Sequence, residues 1–132
     1  MTYFTINELC KSDTARAKGI DNTPSAEVVK NLTQLVDVVL DPLRKNWGAP
    51  LRVNSGYRCP ALNKAVDGSA KSDHLYGYAA DITAGSVEKN KELFKLVQKL
   101  NLPYRQLIDE NKFSWVHISY NPKDIKKQIL HL

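Results

Sequence analysis

The sequence is poor in cysteine: two residues in 132, Cys10 and Cys59, far apart and in no Cys-x-x-Cys pair. Two are too few for a disulfide framework, and they read as free thiols in a cytoplasmically made protein. A disulfide between them is the open alternative. Long apolar runs are also missing. None reaches the length that crosses a bilayer, so no membrane insertion is expected. The start, Met1-Thr2-Tyr3-Phe4-Thr5, lacks a basic stretch followed by an apolar core. No secretory leader is therefore read in this stretch, and a destination outside the cell requires release by lysis, another export route or a leader already removed. Internal repeats, low-complexity blocks and Pro/Gly-rich linkers are absent too. Residues 1–132 read as one domain, expected to be monomeric.

What is present begins with charge. The formal net charge is +5, which favours acidic partners, anionic cell-wall polymer and nucleic acid among them. The lysines Lys89, Lys91, Lys95, Lys99, Lys112, Lys123, Lys126 and Lys127 are dispersed and read as solvated helix faces. No recognition motif accompanies them, so no specific nucleic-acid partner is expected.

Thr5 and Glu8 form a capping-box pattern ahead of a short helix. Ser12 or Asp13 caps a second, ended near Gly19. After Pro24-Ser25, apolar residues from Val28 to Trp47 recur at helical spacing, with a kink expected at Pro42 and a stop at Gly48. Short strands are predicted over 51–55, 79–83, 106–109 and 115–120, a helical turn over 60–66, and an amphipathic helix from Ser86 to Pro103. The order points to α+β, with a small, mainly antiparallel sheet and flanking helices.

Two short motifs carry the chemistry: Ser72-Asp73-His74-Leu75-Tyr76-Gly77-Tyr78-Ala79-Ala80-Asp81 and Trp115-Val116-His117-Ile118-Ser119. Two imidazoles and a carboxylate hold a catalytic zinc while leaving a position open to water. Strand alternation supports that ligand set. Asp81 points away from Ala80 and Ile82, and His117 away from Val116 and Ile118, so both face one surface if the apolar sets face the core. His74 reaches that surface from the loop before its strand, where Gly77 lets the backbone turn. The plainer alternatives are a packed strand histidine and an Asp in a cap or turn. His131, at the C-terminus, reads as a mobile bystander.

Taken together, Ser72-x-His74-x-x-Gly77-x-Ala79-x-Asp81, Trp115-Val116-His117, Ser55-Gly56-Tyr57-Arg58 and Gln106-Leu107-Ile108-Asp109-Glu110 resemble, in order, the M15 family of zinc D-Ala-D-Ala carboxypeptidases and related peptidoglycan peptidases. The likeness is to its short bacterial and phage members. The resemblance implies a zinc site in a surface cleft, with His74, Asp81 and His117 as ligands, and peptidoglycan stem peptides as substrate, in the manner of a phage endolysin or a wall-remodelling enzyme. It implies that Arg58 binds a substrate carboxylate or carbonyl, for which a planar guanidinium fork is suited. The alternative for Arg58 is a structural ion pair. Ser72 either orients a ligand or contacts substrate, or is a turn hydroxyl bonded to backbone.

The sequence departs from the resemblance at the general base. Many M15 members carry an acid three residues before the last histidine, where this chain has Ser114. Glu110 is the expected base instead. It shares a strand face with Gln106 and Ile108, whereas Asp109 points the other way unless a turn reverses the phase. A chain that keeps the zinc site without a working base would be a non-catalytic module binding peptidoglycan or a protein partner.

Overall fold

The computed structural model describes residues 1–132. The chain runs through α1 (Ile6–Cys10), α2 (Asp13–Lys18) and α3 (Ala26–Leu35), a π-helical segment (Val36–Leu40), and α4 (Asp41–Trp47). Then follow β1 (Arg52–Ser55), α5 (Pro60–Ala65), a 3-10 turn (Asp73–Tyr76), β2 (Ala79–Thr83), α6 (Val87–Lys99), β3 (Gln106–Glu110), β4 (Trp115–Ser119) and β5 (Gln128–His131). The fold is α+β, as the sequence pattern predicts.

Side-chain oxygens start the helices. Thr5, Ser12, Ser25 and Ser86 each accept a hydrogen bond from the backbone N–H three residues on, which satisfies donors the first helical turn leaves unpaired. Gly19 and Gly48 end α2 and α4 in the left-handed conformation. Pro42 does not produce a simple kink in one long helix. A π-helical turn precedes it, and the N–H of Asp41 reaches back to the carbonyl of Val36. Widening the helix there accommodates a residue that has no N–H to donate.

The five strands lie in the order β1-β2-β4-β3-β5. All neighbours are antiparallel except β3 and β5, which are parallel. β5 is absent from the sequence expectation. It places His131 opposite Asp109, and the two side chains are hydrogen-bonded, so His131 is an ordered strand residue rather than a mobile end.

Ala80 and Ile82 of β2, Val116 and Ile118 of β4 and Leu107 of β3 turn to one side of the sheet. There they join Leu32, Leu35, Val39 and Leu43 of the long helical arm and Leu93 and Val97 of α6 in a 21-residue apolar core. Burying one such leucine contributes about 2–3 kcal/mol. With these alternate residues held inward, the intervening ones project from the opposite face, and the site is built there.

Candidate metal centre and its surroundings

Register fixes the arrangement. Asp81 pairs with His117, His117 pairs with Ile108, and Glu110 pairs with Trp115. Directly opposed residues project to the same face, so Asp81, His117, Glu110 and Trp115 share it. Asp109 lies on the other face, held against His131. The sequence expectation that Glu110 rather than Asp109 faces the cluster agrees with this register.

His74 arrives from a different element. Ser72 caps the 3-10 turn, its Oγ accepting from the N–H of His74 at 3.2 Å. Gly77 ends the turn at φ +77°, and a Cβ there would approach the carbonyl of Val28 to 2.9 Å. Both constraints make glycine the residue that fits. The turn directs His74 into the sheet face, where it is 2% exposed. Ser72 makes the backbone bond that was one of its two alternatives, and through that bond it orients the turn that carries His74.

His74 Nδ1 lies 2.6 Å from the carbonyl oxygen of Gly56. A carbonyl only accepts, so Nδ1 carries the proton and donates it. Gly56 is pressed against α1, and a Cβ at this position would sit 2.1 Å from the carbonyl of Leu9. Its backbone thus buttresses the ring. With Nδ1 protonated, a neutral His74 presents a bare Nε2 lone pair to Asp81 Oδ1 at 3.3 Å. His117 Nδ1 lies 2.9 Å from the same oxygen. The two rings meet edge to face, with centroids 5.1 Å apart. All three ligand atoms lie within 4.8 Å of one another, and all three residues are buried.

This donor set fits a metal cation. Electron-rich nitrogen and oxygen atoms converge, and either ring protonation or a metal ion must neutralise them. The His74–Gly56 bond fixes the ring's tautomer, the kind of outer support that a metal-ligating imidazole has. Burial alone pushes the Asp81 carboxyl upward, but with both rings protonated His74 and His117 outweigh that effect and hold it well below the usual carboxylate range; with the rings neutral, a cation has to take over that role. In either case Asp81 is favoured as a carboxylate, the form that metal binding requires.

Glu110 is half-buried, and one of its carboxylate oxygens, Oε2, accepts a hydrogen bond from the indole N–H of Trp115. Oε1 makes no hydrogen bond. Ser114 occupies the bend of the β3–β4 hairpin, where its hydroxyl donates to the carbonyl of Asn111 at 2.6 Å. It belongs to the turn rather than to the site.

Arg58 makes no ion pair, which removes the structural-pair alternative. Its Nε is buried without a partner. Burial lowers the guanidinium's proton affinity, and the nearby charges of Asp81 and Glu110 oppose that. Arg58 is thus a half-buried cation with unspent donors near two carboxylates. Cys10 and Cys59 are both free; the Cys59 sulfur accepts from the N–H of Leu62 at the start of α5.

Sequence reasoning did not find several supporting residues. The carbonyl of Gly56 is a backbone group, and no side-chain pattern signals it. Trp115 was legible only through its register with Glu110. Arg105 is a third: it bonds Asp73, next to His74, at 2.8 Å and Asp124 at 2.9 Å, tying the ligand-bearing turn to the C-terminal segment. Nothing local in the sequence joins residues 73, 105 and 124.

The sequence model of peptidase M15 matches residues 2–119. A zinc D-Ala-D-Ala carboxypeptidase from Streptomyces albus G is 35% identical over 86 residues, covering 64% of this chain and 31% of that protein. The match therefore spans about a third of the relative's length.

Proposed function

The chain belongs to the peptidase M15 family, and from that premise we propose that it is a zinc-dependent metallopeptidase that cleaves stem peptides of bacterial cell-wall peptidoglycan. The observation that carries this reading is the convergence of His74 Nε2, Asp81 Oδ1 and His117 Nδ1 on the sheet face that also presents Glu110. The similarity to a zinc D-Ala-D-Ala carboxypeptidase supports both the metal and the substrate class.

In this reading His74, Asp81 and His117 hold the ion. A bound zinc supplies Lewis acidity, polarising the scissile carbonyl and acidifying a nearby water. Glu110 is the general base: its free Oε1 takes a proton from the attacking water and passes it to the leaving amine. The indole of Trp115 engages Oε2 and keeps the carboxylate aimed. Arg58 receives a carboxylate or carbonyl of the substrate, fixing the peptide for attack. Ser72 sets the turn that delivers His74. The bond cut is D-Ala-D-Ala, another bond to a D-residue, or L-Ala-D-Glu. No helix is long and apolar enough to cross a membrane, and the protein acts on the wall after release or export.

Mass spectrometry of peptidoglycan incubated with the zinc-loaded protein tests this. Loss of a terminal D-Ala identifies a carboxypeptidase, and new internal peptide ends identify an endopeptidase. Binding to the wall with no product from any wall type would instead make the protein a non-catalytic module.

A further inference from the structure

A groove of about 570 Å³ opens beside the metal cluster. It is lined by β1, by the corner between α1 and α2, by Leu62 and Val66, and by Arg58 and Asp81. β1 is an outer strand, paired with β2 alone. Apart from its bonds to β2, residues 52–55 make no hydrogen bond through backbone or side chain. Their outward N–H and C=O groups are a free template for another strand. The register also slips between Val53 and Ser55, with Ser55 opposite Asp81. Asn54 is the extra residue, and the resulting bulge places both Asn54 and Ser55 along the groove. Bulges of this kind redirect side chains next to active sites.

Charge adds a second, independent sign. Asp81 is engaged by two imidazoles, and Asp13 pairs only weakly with Arg16 at 3.1 Å on the open surface, so it still counts as one acid of the groove. The charged groups lining it besides Asp81 are thus Lys11, Arg52 and Arg58 against Glu8 and Asp13, and Lys11, Arg52, Arg58 and Glu8 make no ion pair. The uncommitted balance is positive.

We propose that this groove binds an extended, carboxylate-bearing stretch of the substrate peptide adjoining the scissile bond, its main chain added to the free edge of β1 and its carboxylate met by Lys11 and Arg52. The inference rests on the peptidase reading and extends it from the reacting bond to the flanking chain. Strand addition supplies affinity through main-chain hydrogen bonds, and the cations supply the preference for an acidic segment.

The test uses zinc-loaded Glu110→Gln protein and a fluorescent peptide that ends in D-Ala-D-Ala and carries an internal free carboxylate. Lys11→Glu with Arg52→Glu should weaken its binding about tenfold and leave binding of the side-chain amide of the same peptide unchanged. Lys95→Glu with Lys99→Glu, an equal charge change on the exposed face of α6, should have no such effect. N-methylation of alternate peptide amides should also abolish binding. Equal affinity of the groove variant and its parent, an equal loss in the α6 control, or full binding of the N-methylated peptide would overturn the proposal. Failure of the peptidase reading is separable. A peptide bound in a Lys11- and Arg52-dependent way, yet never cut by protein with Glu110 intact, would refute catalysis and keep the groove. Cleavage with a KM that the groove variant does not change would do the reverse.

Discussion

At the scale of single residues, neighbours one position apart have opposite fates. Glu110 and Asp109 are adjacent acids, but strand alternation sends Glu110 to the polar face beside Trp115 and Asp109 to the far side against His131. Glu110→Gln keeps the size and the indole contact but cannot accept a proton. It should lower turnover by roughly 10²–10⁴-fold while zinc content, measured by elemental analysis, stays at the parent level; unchanged turnover would remove Glu110 from the mechanism. Asp109→Asn should leave turnover largely intact. Cys10 offers a pH prediction. Burial pushes its thiol up to about 11, so the folded protein holds that proton more tightly than the unfolded chain does. Its contribution to stability is complete below the ordinary thiol range and is lost as pH rises from there towards 11. Alkylation of Cys10 by iodoacetamide at pH 8 should be slow in the folded protein and accelerate as pH approaches 11, because the thiolate is the nucleophile. Fast labelling at pH 8 in the native state would contradict the burial.

At the scale of elements, the β3–β4 hairpin shows how the fold holds the site at a cost. Asn111, Lys112 and Phe113 all have positive φ, at 49°, 56° and 63°, a conformation unfavourable for residues with a Cβ. Asn90 of α6, fully buried, compensates. Its side-chain amide donates to the carbonyls of Phe113 and Ser114 and bonds Thr83, and its oxygen accepts from the N–H of Ala84. One side chain thus joins α6, the end of β2 and the hairpin that carries Glu110. Asn90→Ala strands several buried polar groups and should cost about 2–4 kcal/mol in denaturant unfolding; a loss below about 0.5 kcal/mol would show that the network is dispensable. Such links explain what the sequence withheld. Helix starts were legible from Thr5, Ser12, Ser25 and Ser86 because capping is local chemistry. The first four strands were legible from their sequence pattern. β5 was not: Gln128 and Ile129 are exposed or nearly so, leaving no apolar pattern, and its pairing depends on a parallel partner some twenty residues away. The π-helical turn before Pro42 was hidden for a related reason, since proline announces a disruption but not how the backbone resolves it.

At the scale of the whole molecule, two sides of one sheet have separate tasks. The inner side packs against the helices and fixes the strands; the outer side inherits a rigid register that sets Asp81 against His117 without a loop to position either. Only His74 comes from outside the sheet, and its turn is tied down by Ser72, Gly56 and, through Asp73, by Arg105. The candidate ligand set, which the structure brings together, was readable from sequence because alternation and family motifs agreed. Its supports were not, because they consist of backbone carbonyls and long-range ion pairs. The central claim is that this site is a zinc site and that catalysis depends on it. The most direct measurement is a titration of chelator-stripped protein with zinc while cleavage of wall peptides is followed by mass spectrometry. The account predicts no cleavage without metal, activity that rises to a plateau at about one equivalent as expected for a mononuclear site, and no recovery in His117→Ala. Cleavage that persists in the stripped protein, or that His117→Ala retains, would contradict it.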